Sequence, residues 1–336
     1  MPESLGDYLS RTLDAVRDAT GGEVFDVPRA LATADPELLA AAVCSIEGQV
    51  HTAGDADHEF TIQSVSKSFV YALALEQHGI DTVLEHVDVE PSGEAYNVIS
   101  VEPESNRPRN PMINAGALTT HALVNGPGAD AEGRLETILE CFSVMAGRQL
   151  QVDEEAARDE LAQADRNRAI AYMLRAEGVM PDQAEDVVRG YTRQCSILVS
   201  VRDLAVMAAT LANGGVQPVT GERVHSLESA RQTLSVMTTC GMYDSAGDWM
   251  SEVGIPAKSG VAGSIMGALP GRAGLAAYSP RLDRHGASVR GQLAFEHLSD
   301  ELGLHLLDDP RRKEARWEQL REQDPEAVPD GPPPSP

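Results

Sequence analysis

The hydrophobic pattern predicts an α/β protein of the α+β type, in which one sheet is assembled from both ends of the chain and an all-helical lobe is inserted between them. Three observations predict it: a hairpin early in the chain, a long middle stretch of mostly helical spacing, and a return to short Gly-punctuated runs near the end. Residues 37–54 read as the hairpin, with Ala41, Ala42, Val43 and Ser45 leading into a turn at Glu47-Gly48 and residues 50–53 returning. Residues 60–79 switch to helical spacing, with Val65, Phe69, Ala72, Leu73 and Leu75 apolar and Gly79 as the stop. Residues 90–111 are loop-like and carry the turn signals EPSG and NRPRNP. From 112 to about 237, helices follow one another, broken near Gly126-Pro127-Gly128, Gly147, Gly178 and Gly214-Gly215. Residues 253–278 read as strands with Gly-rich turns, and 287–304 as a final amphipathic helix. The expected organisation is one domain over 1–310, with its sheet from about 22–60 and 250–304 and its helical lobe from about 61–249. A charged, Pro-rich tail over 311–336 lacks the apolar residues to build a core.

A chain of 336 residues buries enough apolar surface to need no staples. Apolar residues make up 42%, without a run of about 18, so no membrane span is expected. The first twenty residues lack the basic and apolar regions of a secretory leader, which points to the cytoplasm. A net charge of −25, spread along the chain, makes nucleic acid and anionic membranes poor partners. Cys44, Cys141, Cys195 and Cys240 form no C-x-x-C and read as reduced, mostly buried thiols rather than a metal site.

Of 27 cationic side chains 24 are arginine, and Lys67, Lys258 and Lys313 are the only lysines. A desolvated lysine approaches neutrality and acts as a base, whereas arginine keeps its proton. Lys67 ends an S-x-x-K sequence, Ser64-Val65-Ser66-Lys67, at the start of the first long helix. Spacing of three brings a hydroxyl and an amine to one helix face, beside free N–H groups able to receive an oxyanion. Such a serine attacks a carbonyl to give an acyl-enzyme. Chance supplies about 0.2 such matches in a chain of this composition, so a second element is needed. Lys258-Ser259-Gly260 supplies it, as the K-[ST]-G that accompanies S-x-x-K in serine β-lactamases and penicillin-binding proteins.

Beyond the lysine motifs, eight blocks carry a wider resemblance: GDADHEFTIQSVSKSF, EPSGEAYN, NRPRNPMINAGAL, ELAQADRNRAIAY, GYTRQCSI, CGMYDSAGDW, VGIPAKSGV and YSPRLDRHGASVRG. They run in order over about residues 54–291, and the sequence resembles the serine-dependent bacterial glutaminases. The resemblance implies a β-lactamase/penicillin-binding-protein-like fold, an antiparallel sheet flanked by helices with the inserted all-helical lobe. It implies hydrolysis of L-glutamine to L-glutamate and ammonia without metal or organic cofactor, in a homodimer or homotetramer. By the same resemblance Ser64 is the nucleophile, Lys67 its base and Tyr191 a proton-transfer group. Ser64 and Val261 supply oxyanion N–H groups, with Lys258 and Ser259 in support. Asn114, Glu160, Asn167 and Tyr243 join Ser64, Tyr191 and Val261 around the substrate. Glu160 pairs with the α-ammonium, and the seven-residue step to Asn167 suits two turns of one helix. The chain departs from the pattern at Ala262 and Ser264, where the family has glycine, and at Ala287, where it has asparagine. It also departs at Asp26, which replaces a substrate-touching tyrosine and is expected to weaken α-carboxylate binding. Two other readings share the lysine motifs: a β-lactamase or penicillin-recognising serine hydrolase, and an inactive amino-acid-binding relative.

Overall fold

The computed structural model describes residues 3–92, 101–309 and 317. The early hairpin forms as expected, β1 (Ala40–Ser45) pairing with β2 (Val50–Gly54). Two further stretches, Phe60–Thr61 (β3) and Gln151–Val152 (β4), pair in antiparallel fashion with Ile197–Val199 (β5) in a small sheet of order β3-β5-β4. The Gly-rich region gives Ala257–Gly260 (β6), Ser264–Leu269 (β7) and Ala273–Tyr278 (β8). These close with the hairpin into a five-stranded antiparallel sheet, β2-β1-β8-β7-β6, so both chain ends build it, as predicted.

The inner strands read AAAVCS and AGLAAY, and their small side chains let a helix lie directly on the sheet. A Cβ at Gly274 would stand 2.1 Å from the Ala209 nitrogen, within the Val201–Ala212 helix, so glycine is required there. That helix belongs by sequence to the expected lobe, yet it packs on β1, β7 and β8. The intervening block is also not wholly helical, because β4 and β5 fall within it. The opposite face of the sheet is covered by Val289–Leu302 and by Leu5–Val16, the latter outside the expected sheet boundaries. Its burial of Leu5, Leu9, Leu13 and Val16 against this layer explains why it belongs to the domain.

Of the six breaks between the seven helices from Asn114–Leu123 to Leu227–Cys240, four fall where predicted, with Gly147 a left-handed helix stop, and those at 163–164 and 196–200 were not anticipated. Residues 93–100, which hold most of EPSGEAYN, lie outside the described residues, as does the 311–336 tail except Trp317. Trp317 departs from a wholly solvated tail: it is buried with the sheet layer, and its ring lies under the Arg272 guanidinium. All four cysteines are free. No helix among the described residues is long and apolar enough to cross a membrane.

One buried ion pair braces the helical side. Arg134, 1% exposed, donates to the Val124 and Gly126 carbonyls and to Asp182 at 2.8 Å. Arg134→Met strands that carboxylate and both carbonyls, and the expected cost is about 3–5 kcal/mol. The check is a lower urea midpoint at unchanged slope.

Candidate active site

Ser64 occupies a one-turn 3-10 helix, Gln63–Val65, between β3 and the Ser66–His78 helix. Ladder pairing of β3 with β5, extended by Ile62 N–H to the Ile197 carbonyl at 2.8 Å, fixes the base of this turn. Gln63 then adopts a left-handed φ of 49°, unusual for a side-chain-bearing residue, and redirects the backbone so that Ser64 meets a cavity. The predicted helix start is thus displaced: 60–61 are strand, and the α-helix begins at Ser66.

The cavity measures about 290 Å³. Six of the sequence-selected residues line it: Ser64, Asn114, Glu160, Asn167, Tyr191 and Val261. They come from separate parts of the chain, with Asn114 opening one helix and Tyr191 lying in the last turn and a half of another. Glu160 and Asn167 do not share a helix as their spacing suggested. Residues 163 and 164 turn back with N–H bonds three residues behind them, and a new helix starts at Asp165. Both side chains nevertheless reach the cavity. Asp26 lines it too, placing a carboxylate at the substituted position. Gln63 and Cys195 are lining residues that the sequence did not single out. Cys195 follows Tyr191 by one helical turn, and that spacing was a readable signal.

Lys67 stands behind the wall, fully buried. Its Nζ donates to Asn114 Oδ1 at 2.7 Å and to the Met112 carbonyl at 3.2 Å, and makes no hydrogen bond to Ser64. Both acceptors are neutral. Burial pulls Lys67 down to about 8, opposed by the nearby Cys195 thiol and Glu160. Asn114 turns its Nδ2 to Asn167 Oδ1 at 2.9 Å, so one amide joins the buried amine to the cavity wall.

Lys258 is also fully buried and donates to the Ser259 carbonyl at 2.7 Å. Its Nζ sits 3.8 Å from the centre of the Tyr243 ring, and Lys67 Nζ lies 5.6 Å from the same centre. Two motifs far apart in sequence therefore meet at one aromatic ring. Burial, with help from Lys67, holds Lys258 well below the usual lysine range.

Burial pushes Glu160 up to about 6, against a Gln63 amide bond at 3.1 Å and the attraction of Lys67. Burial likewise keeps Tyr191 protonated well above the ordinary phenol range. The backbone N–H groups of Ser64 and Val261 have no acceptor among the described residues. The site thus joins an unengaged hydroxyl, two free N–H donors, a buried amine that gives up its proton more readily than an ordinary lysine, and a protonated phenol. That set suits acyl transfer from a small, amine-bearing substrate. The departures sit close by: Ala262 and Ala287 are buried, and Ser264 Oγ is buried without a partner.

A model of the glutaminase family matches residues 22–307. The glutaminase of Corynebacterium glutamicum is 54% identical over 90% of this chain and 73% of its own length. That of Clavibacter michiganensis is 48% identical over 88% and 90%. Among solved structures, Mglu in its glutamate form superposes with a TM-score of 0.89 at 50% identity, over 92% of this chain and 71% of that one. A probable glutaminase of Bacillus subtilis superposes at 0.83 and 32%, over 89% and 97%.

Proposed function

The chain belongs to the glutaminase family, and we propose from that premise how its own residues hydrolyse L-glutamine to L-glutamate and ammonia. Glu160 takes the α-ammonium, and Asn114, Asn167 and Tyr243 fix the rest of the amino-acid end. The side-chain amide then faces Ser64. Lys67, as a neutral amine, removes the hydroxyl proton while Oγ bonds to the amide carbon. Negative charge on the former carbonyl oxygen falls between the Ser64 and Val261 N–H groups. Tyr191, recharged through Lys67, protonates the departing nitrogen as the C–N bond breaks, leaving a γ-glutamyl ester on Ser64. Water attacks that ester by the reverse proton path and frees glutamate. Lys258 and Ser259 support the field and shape of the site.

The observation that carries this reading is Lys67, fully buried with neutral hydrogen-bond acceptors only. In free enzymes catalytic hydrogen bonds are often open and close in the substrate complex, which accommodates the absent Ser64–Lys67 bond. Acid quenching during turnover is expected to give a Ser64 peptide heavier by one γ-glutamyl group. An ester on any other side chain, or none under single-turnover conditions that produce glutamate, overturns the mechanism. We also read the assembly as a homodimer or homotetramer, which sedimentation measures directly.

A pH dependence follows. Glu160 gains a proton below about 6 and then no longer attracts the α-ammonium. Lys67 is charged below about 8 and cannot accept a proton. Both losses lie on the acid side, so kcat/KM rises from pH 6 through pH 8. A flat profile across that interval contradicts Lys67 as the base.

A further inference from the structure

We infer that Ser66, Gln194 and His121 form a buried positioning chain that sets the rotation of Tyr191 toward Ser64 and Lys67. Two hydrogen bonds and the burial of all three side chains carry it. Gln194 Nε2 donates to Ser66 Oγ at 2.9 Å, and Gln194 Oε1 lies 2.8 Å from His121 Nδ1. An amide oxygen only accepts, so His121 is the Nδ1–H tautomer. All three side chains are fully buried.

The chain runs between the elements that carry the chemistry. Ser66 lies between the proposed nucleophile and base, Gln194 shares a helix with Tyr191, and His121 lies two turns after Asn114 in its helix. On the Tyr191 helix, positions 190 and 194 form one stripe and 191 and 195 the next. Tyr191 and Cys195 line the cavity. Gly190 and Gln194 face His121, whose Nε2 would stand 2.4 Å from a Cβ at position 190. His121 is therefore seated against the helix on both sides of Tyr191, and its ring meets the Tyr191 ring edge-on at 6.4 Å between centres.

The histidine is built to stay neutral. Its Nε2 is buried without a partner, and burial pulls it down to about 4. A protonated ring would aim a second donor at the Gly190 backbone. The arrangement thus uses a titratable residue for geometry: the helix that carries Tyr191 cannot turn relative to Ser66 and His121 without breaking two buried hydrogen bonds, and the His121 ring borders Tyr191 directly.

The inference rests on the reading of Tyr191 as the proton-transfer group, and the experiment separates the two. Gln194→Met keeps the volume and removes both bonds. It is expected to lower kcat about 10- to 100-fold with KM for L-glutamine within about threefold. Tyr191→Phe is expected to lower kcat about 100-fold or more. In the double variant the second change costs at most about twofold in kcat, because the group it positions is gone. Losses that multiply mean that the chain supports only the fold, and overturn the inference. Gln194→Met at the parent kcat, with Tyr191→Phe slow, overturns the inference alone. Tyr191→Phe at the parent kcat overturns the reading beneath it as well. Should Gln194→Met fail to fold, Ser66→Ala removes one bond of the chain and carries the same comparison with Tyr191→Phe.

Discussion

Ser64→Ala will bind L-glutamine and release no ammonia from it. The change removes one oxygen and leaves in place Glu160, Asn114 and Asn167, which line the cavity and in the proposed mechanism hold the amino-acid end, as well as the N–H group of residue 64. Nothing else in the cavity replaces that oxygen. Ser66 is buried in its bond to Gln194, and Ser68 Oγ is turned to the Val65 carbonyl at 2.8 Å. Cys195 reaches the cavity, but burial pushes its thiol up to about 12, far from the thiolate that attacks carbonyls. Loss of an activated nucleophile costs about 10⁴- to 10⁶-fold in kcat, while Kd is expected to stay within about threefold. Coupled glutamate detection measures the first and calorimetric titration the second. Residual turnover within a hundredfold of the parent moves the nucleophile elsewhere.

Much of this site was readable before any coordinates. S-x-x-K and K-S-G each announce an unusual lysine, and their rarity in an Arg-rich chain made Lys67 and Lys258 conspicuous. Their meeting at Tyr243 was not readable, because it depends on β6 lying at the edge of a sheet whose partners come from both chain ends. The hairpin and the glycine breaks were legible because a short run closed by a Glu-Gly turn and left-handed glycines leave local marks.

What escaped notice has physical reasons. Strands of two or three residues such as β3, β4 and β5 are too short to show a period. The left-handed backbone at Gln63 has no residue code, since only glycine and, less strongly, asparagine advertise that conformation. Between Glu160 and Asn167 no glycine or proline marks the reversal, so one continuous helix was the natural reading. The Leu5–Val16 helix did carry a signal, an apolar stripe behind a capping box of Ser4 and Asp7.

Lys67→Arg will be nearly as inactive as Lys67→Ala, and this separates a base from a mere positive charge. Arginine at position 67 would keep its proton at any working pH, so it preserves charge and abolishes base strength. In the parent, burial lowers the amine to about 8, which leaves ~10% neutral at pH 7 and most of it neutral above pH 9. The expected loss in kcat is about 10²- to 10⁴-fold for Arg, Ala and Met alike. The sign of the pH effect distinguishes the variants from a slow parent: parent kcat/KM climbs as Lys67 loses its proton through pH 8, and the variants are flat there. Stability gives an independent reading. A lysine whose folded pKa is depressed destabilises the native state below that pKa and ceases to do so above the unfolded value, so parent stability rises from pH 8 toward 10.5. Lys67→Met removes both the buried charge and that slope, and should be the more stable protein at pH 7 and the inactive one. An arginine variant within tenfold of the parent kcat would show that the site needs a cation at position 67, and the proton path would then have to begin at Tyr191 or Lys258.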